Sequence, residues 1–174
     1  MHQPFYCEEN IYHFCDHPFV KDRDRFVLVI GGNQGGFFMW RQRAGMGRRG
    51  PIFWDYHVIL LTRDPWMVWD LDTTLPLPSA ALNYLAASFY YNLDEQWLPI
   101  FRMLTATEYK NKLVTDRSHM RKPDGRFERP EPPWPLLTPP EMGTNLARFV
   151  NMKDPFLGQI LSLRDLTHLC EQTA

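Results

Sequence analysis

The stretch Phe53-Trp54-Asp55-Tyr56-His57-Val58-Ile59-Leu60-Leu61, then Thr62-Arg63-Asp64-Pro65, then Trp66-Met67-Val68-Trp69-Asp70-Leu71, decides how this chain folds. Both flanks are rich in branched and aromatic residues, and the link between them carries turn residues. The pattern predicts two strands joined as an antiparallel hairpin. With residues 62–65 as the loop, Leu61 faces Trp66, Ile59 faces Val68 and His57 falls opposite Asp70. Directly opposed side chains share a face, with Cβ atoms roughly 4.5–5.5 Å apart, within reach of an imidazole–carboxylate hydrogen bond. The same register sets Asp72 opposite Asp55. A slip of one residue would separate His57 and Asp70 onto opposite faces.

Working outward, residues 8–15 read as a short helix, with Glu8 and Glu9 at its positive end and Pro18 beyond its last turn. Residues 26–30 read as a buried strand. The glycines of 31–36 lack the spacing of a phosphate-binding loop and predict a hairpin into a second strand at 37–40. The basic, glycine-rich run 41–51, with Arg41, Arg43, Arg48 and Arg49, predicts a mobile surface loop. Residues 79–91 predict a helix whose apolar face is Leu82, Leu85, Ala86 and Phe89. A strand at 99–105 and a short helix at 108–114 follow. Prolines crowd 123–140, where Phe127 and Trp134 predict an ordered strap over the core. Residues 161–170 predict an amphipathic helix capped by Ser162, with Asp165 as the acid of a capping box. The whole reads as one catalytic domain over 1–174, of α/β (α+β) class.

Composition narrows the partners. The 174 residues are 44% hydrophobic and 14% aromatic, enough for a packed core and unlike a disordered chain. A net charge of −1 offers nothing for general nucleic-acid or membrane-surface binding. No apolar run has the length of a membrane span, and Met1-His2-Gln3-Pro4 does not begin a signal peptide. Three cysteines, Cys7, Cys15 and Cys170, do not make a disulfide framework and predict a reducing compartment. The expectation is a cytoplasmic monomer, with the nucleus open to it in a eukaryote.

Cys7 stands at the predicted start of the first helix. A helix N-terminus and a nearby imidazolium lower a thiol's pKa, so the expected nucleophile is a Cys7 thiolate. His57 would stabilise it and later donate a proton, while Asp70 fixes the imidazole tautomer. Free N–H groups at the helix start would form the oxyanion hole.

Beyond this parts list, Trp54-Asp55-Tyr56-His57-Val58 reproduces the WDYHV signature of the protein N-terminal glutamine amidohydrolase family. Tyr6-Cys7-Glu8-Glu9-Asn10, Trp69-Asp70-Leu71-Asp72-Thr73 with Leu75-Pro76, and Asp116-Arg117-Ser118-His119-Met120 resemble that family's segments in the same order. Leu77 departs from it, standing where an aromatic residue is frequent. The resemblance implies a cofactor-free cysteine amidohydrolase with a papain/transglutaminase-like core: an antiparallel sheet packed against a helix that carries the nucleophile at its N-terminus. It implies conversion of N-terminal glutamine in proteins and peptides to glutamate and ammonia, a step in the N-degron pathway, with the catalytic triad on Cys7, His57 and Asp70.

A substrate read by its N-terminus needs a seat for an ammonium. Glu8, Asp72 and Asp116 are the candidates; for the opposed Asp55 and Asp72 the favoured alternative is an internal cation such as Arg117, or a backbone-capping role for one of the two aspartates. Three rival readings stand beside this one. They are a metal site on His13, Cys15 and His17, a transglutaminase-like deamidase of internal glutamine, and a catalytically dead module that binds N-termini. His13 and His17 lack a second ligand pair at zinc-site spacing, so no metal is expected.

Overall fold

The computed structural model describes residues 2–46 and 50–172. Helix α1 (Cys7–Phe14) is followed by strand β1 (Arg25–Gly32). Strands β2 (Phe37–Met39) and β3 (Ile52–Trp54) pair with each other as a small separate ribbon. Next come β4 (His57–Thr62), β5 (Met67–Trp69), β6 (Ser79–Ala80) and helix α2 (Ala81–Ser88). The chain closes with β7 (Pro99–Thr105), α3 (Ala106–Lys112), α4 (Leu146–Val150), β8 (Gln159–Ser162) and α5 (Leu163–Glu171). The main sheet has the order β6-β5-β4-β1-β7-β8, and every neighbouring pair is antiparallel. None of the described helices is long and apolar enough to cross a membrane.

The apolar run Val27-Leu28-Val29-Ile30 explains the layering. All four residues are fully buried, so the central strand must be covered on both faces. Leu28 and Ile30, with Ile59, Leu61 and Phe101, pack under Tyr84 and Leu85 of α2 and Leu166 of α5. Val27 and Val29, with Val58, Leu60 and Leu104, pack under Ile11 of α1, Tyr109 of α3 and Phe149 of α4. Each such side chain contributes about 1.5–3 kcal/mol of burial.

The predicted caps form. Ser162 accepts from the Asp165 N–H at 3.1 Å, and Asp165 accepts from the Ser162 N–H at 2.9 Å. The strap is tied to the start of α1, where the Trp134 indole N–H donates to Glu9 at 2.6 Å. Phe127, expected to pin it to the core, instead stacks under the Arg121 guanidinium 4.0 Å away.

Several expectations are corrected. The stretch 53–61 is two strands, because the Asp55 carboxylate accepts its neighbour's N–H at Tyr56 and breaks the run. The 31–36 loop does not close a hairpin: β1 pairs with β4 and β7, and β2 turns away to pair with β3. A Cβ on Gly32 would lie 1.9 Å from the Gly36 carbonyl oxygen, so this tight turn needs glycine there. Of the expected apolar face, Leu85 and Phe89 are buried but Leu82 and Ala86 are exposed; α2 buries Ala81, Tyr84 and Ser88 alongside Leu85. Its phase is set at its start, where the Ala81 N–H bonds the Trp66 carbonyl. In the basic loop, Gln42 is buried and bridges to Thr73; Arg48 and Arg49 lie outside the described residues.

Candidate active site

His57 opens β4 and pairs in register with Ile30 of β1. Strand β5 ends at Trp69, and Asp70 follows it. The hairpin closes with Thr62 opposite Met67 and Leu61 opposite Val68, a register two residues from the predicted one. The loop is therefore 63–66, with Asp64 in the left-handed region and the Trp66 carbonyl turned toward α2. A two-residue slip preserves the faces, because side chains alternate with period two. His57 and Asp70 thus become diagonal neighbours, still within reach of each other. The His57 Nε2–Asp70 Oδ1 distance is 2.9 Å, and both side chains are sealed from solvent at 1% and 0% exposure.

Asp70 accepts four hydrogen bonds, two at each oxygen. Oδ1 takes His57 and the Asp72 N–H at 2.9 Å; Oδ2 takes the Gln42 amide and the Tyr84 hydroxyl, each at 2.8 Å. Burial disfavours this carboxylate's charge, but the facing imidazole and these donors outweigh it and hold its pKa below the ordinary value. Burial likewise opposes a charge on His57, yet the Asp70 carboxylate overrides it and holds the imidazole above its ordinary value. The Trp54 indole stacks on the imidazole, with centroids 5.5 Å apart and planes 8° from parallel. With Nε2 committed to Asp70, His57 Nδ1 is buried and unpartnered.

Cys7 reaches the same place from the other side of the sheet. It is the first residue of α1, which packs over Val58 and Leu60, whereas His57 shares a face with Ile59 and Leu61. The two layers meet where β4 begins. There Cys7 and His57 line one cavity of about 260 Å³ with Trp54, Asp55, Tyr56 and Asp72, and Glu128 and Arg129 of the strap close one side. The Cys7 thiol donates to Glu8 Oε2 at 3.8 Å, and the Val58 backbone N–H favours charge on the sulfur.

The surroundings of Cys7 work against the expected resting thiolate. Burial pushes the Cys7 thiol well up, and the Glu8 and Asp72 carboxylates push it further, against the single favourable bond from Val58.

The candidate ammonium seats fall in different places. Asp72 lines the cavity, and its Oδ1 contacts His2 Nε2 at 2.8 Å, so its side-chain partner is His2 and not Arg117. Asp55 does not oppose it; Asp55 is exposed and caps Tyr56. Glu8 is fully buried beneath the cavity, 3.8 Å from the Cys7 sulfur, accepting from the Tyr56 hydroxyl at 3.0 Å and facing His119 at 3.3 Å. Asp116 caps the Ser118 N–H at 2.9 Å and is not among the cavity-lining residues. Arg117 instead makes a two-pronged pair with Glu9, both bonds at 2.7 Å. Leu77 is on the surface, away from the cavity lining.

The family model for N-terminal glutamine amidase matches residues 2–170. The chain belongs to this family. Among its curated relatives, the human protein N-terminal glutamine amidohydrolase is 34% identical, the match spanning 94% of this chain and 84% of the relative. The protein of that name from Danio rerio is 33% identical over 92% and 84% of the two chains. The Arabidopsis thaliana one is 32% identical over 87% and 75%.

In this member of the N-terminal glutamine amidase family, sequence reasoning passed over Gln42, Tyr84 and Glu9 as parts of the site. Gln42 hid in a stretch that reads as solvated loop, and Tyr84 in a helix face assigned one residue out of phase. Glu9 carried no local signal, since its burial is set by Arg117 and Trp134, more than a hundred residues away. For a metal, the described histidine, cysteine and acidic groups that cluster are His57, Asp70 and Asp72, within 4.8 Å. Asp70 already accepts four hydrogen bonds, which leaves it no lone pair for an ion. His13 packs against Trp134 with its ring tilted at 60° and His17 stacks on Phe14, and among the described residues the pair forms no ligand cluster with Cys15.

Proposed function

We propose that this chain hydrolyses the side-chain amide of N-terminal glutamine in proteins and peptides, giving N-terminal glutamate and ammonia, by cysteine-dependent catalysis on Cys7, His57 and Asp70. The observation that carries the reading is the unpartnered His57 Nδ1 in the same cavity as Cys7, with Nε2 anchored on Asp70. That is the tautomer a base needs in order to take a thiol proton.

The Cys7 S–H proton passes to His57 Nδ1, and the sulfur attacks the glutamine carboxamide carbon. No side chain caps α1, so its first-turn N–H groups are available to the developing oxyanion. The C–N bond breaks, the nitrogen takes the proton from Nδ1, and ammonia leaves a thioester. Water, deprotonated by His57, then hydrolyses the thioester and restores the thiol.

The carboxylates around Cys7 supply the selectivity for a free N-terminus. Asp72, in the cavity wall, is the seat for the substrate ammonium, displacing His2, and Glu8 adds field from below. An arriving cation offsets the charges that hold the thiol up, so binding and activation are coupled. The arrangement of helix-borne cysteine and strand-borne histidine agrees with a papain/transglutaminase-like core. The same reading puts the protein in the cytoplasm as a monomer that makes N-terminal glutamate for the N-degron pathway, with no cofactor.

Mass spectrometry tests the reaction. A peptide beginning with glutamine should gain the mass of amide-to-acid conversion and release ammonia, while its N-acetylated twin stays intact. Conversion of both would replace this reading with a deamidase of internal glutamine, and conversion of neither would end it.

A further inference from the structure

We infer that Gln42 and Tyr84 are positioning residues of the reaction, clamping the Asp70 carboxylate in the orientation and charge state that His57 requires. The inference rests on the catalytic reading above and extends it to two side chains outside the triad.

The geometry is built for this task and for little else. Asp70 Oδ2 faces away from His57 and, among the described residues, receives Gln42 Nε2 and Tyr84 Oη, both at 2.8 Å. These two bonds stop the carboxylate from rotating, which keeps Oδ1 on the imidazole. The buried Gln42 Oε1 has no partner among the described residues. A buried orphan acceptor is costly, so its retention calls for a reason. Its amide is aimed by a backbone clasp: Arg43 N–H donates to the Asp72 carbonyl and Thr74 N–H to the Arg41 carbonyl, each at 2.7 Å. Tyr84 is held in the core by α2, and burial with the Asp70 charge pushes its hydroxyl well up, so it stays a donor at any working pH.

The chemical consequence follows from competition for the carboxylate's electrons. Each donor on Oδ2 makes Asp70 a weaker base and keeps its proton off. Each also tempers how tightly Asp70 holds the imidazolium, which must give its proton to the leaving nitrogen. Other charges face His57 as well: Asp72 in the cavity wall, paired with His2, and Glu8 from α1, paired with His119. Neither touches Oδ2, so loss of a clamp residue leaves them in place.

The test is Tyr84→Phe and Gln42→Met, read two ways. The first is the imidazole titration of His57 by NMR, assigned by its absence in His57→Asn. The second is the acid limb of the kcat/KM profile on a glutamine peptide. Each variant should move both midpoints to higher pH by about half to one unit, with KM nearly unchanged. Midpoints unmoved in the folded variants would overturn the inference. If Tyr84→Phe does not fold, Gln42→Met decides alone. The NMR titration needs no substrate, so it stands even if the wild-type chain fails to deamidate the peptide.

Discussion

Replacing Arg117 with methionine should cost this protein a large share of its stability. Glu9 is fully buried two residues after Cys7, and Arg117 is only 4% exposed. Arg117 Nε and Nη2 each donate to Glu9 at 2.7 Å, and Nη2 also reaches the Trp134 carbonyl at 3.1 Å. Methionine preserves volume but strands the carboxylate with one remaining donor, the Trp134 indole. Removing one partner of a buried pair costs about 3–5 kcal/mol. A domain of this size has roughly 5–15 kcal/mol in all. The melting temperature should fall by about 6–20 °C. Urea unfolding followed by tryptophan fluorescence measures it directly. Adding Glu9→Gln to Arg117→Met should recover much of the loss, because the stranded charge goes with it. A single variant within about 1 kcal/mol of wild type, or a double variant no better than the single, would refute the argument that charge burial dominates here.

Other outcomes follow from the site. Cys7→Ala should abolish glutamine-peptide turnover while leaving the melting temperature close to wild type, and retained turnover would remove Cys7 from the mechanism. Alkylation of Cys7 by iodoacetamide should be slow at mildly acidic pH and keep rising above neutrality, because a thiol with a raised pKa reaches its thiolate only as pH rises; a fast acidic plateau would show a resting ion pair instead. Asp72→Asn removes a like charge, so the same curve should move to lower pH. Steady-state kinetics on that variant should also show KM up roughly ten- to a hundredfold, the loss of a charged hydrogen bond; an unchanged KM would place the ammonium elsewhere.

Much of this was open to a reader of the sequence. The apolar run at 26–30, the hairpin that follows Tyr56 and the Ser162–Asp165 capping box are local facts, set by side-chain alternation and by hydrogen bonds spanning three residues. His57 and Asp70 could be paired because they sit on two strands joined by a short loop, and the pairing survived a register error since a shift of two keeps every face. The family motifs marked the same residues and Cys7. The state of the Cys7 thiol could not be read in this way. It depends on Glu8, Asp72 and Asp55 converging on one sulfur, and on burial, which no local pattern reports. Glu9 and Arg117 are 108 residues apart.

The sequence by itself determined that a strand apolar on both faces must lie inside, that His57 and Asp70 share a side of their hairpin, and that a cysteine begins a helix. Tertiary structure alone decided that α1 covers the opposite face of the sheet, bringing Cys7 to the start of β4 and a Gln42–Tyr84 clamp behind Asp70. The reason is physical: alternation and capping act over a few residues, whereas long-range packing and the desolvation it imposes decide which distant groups meet and what charge they carry.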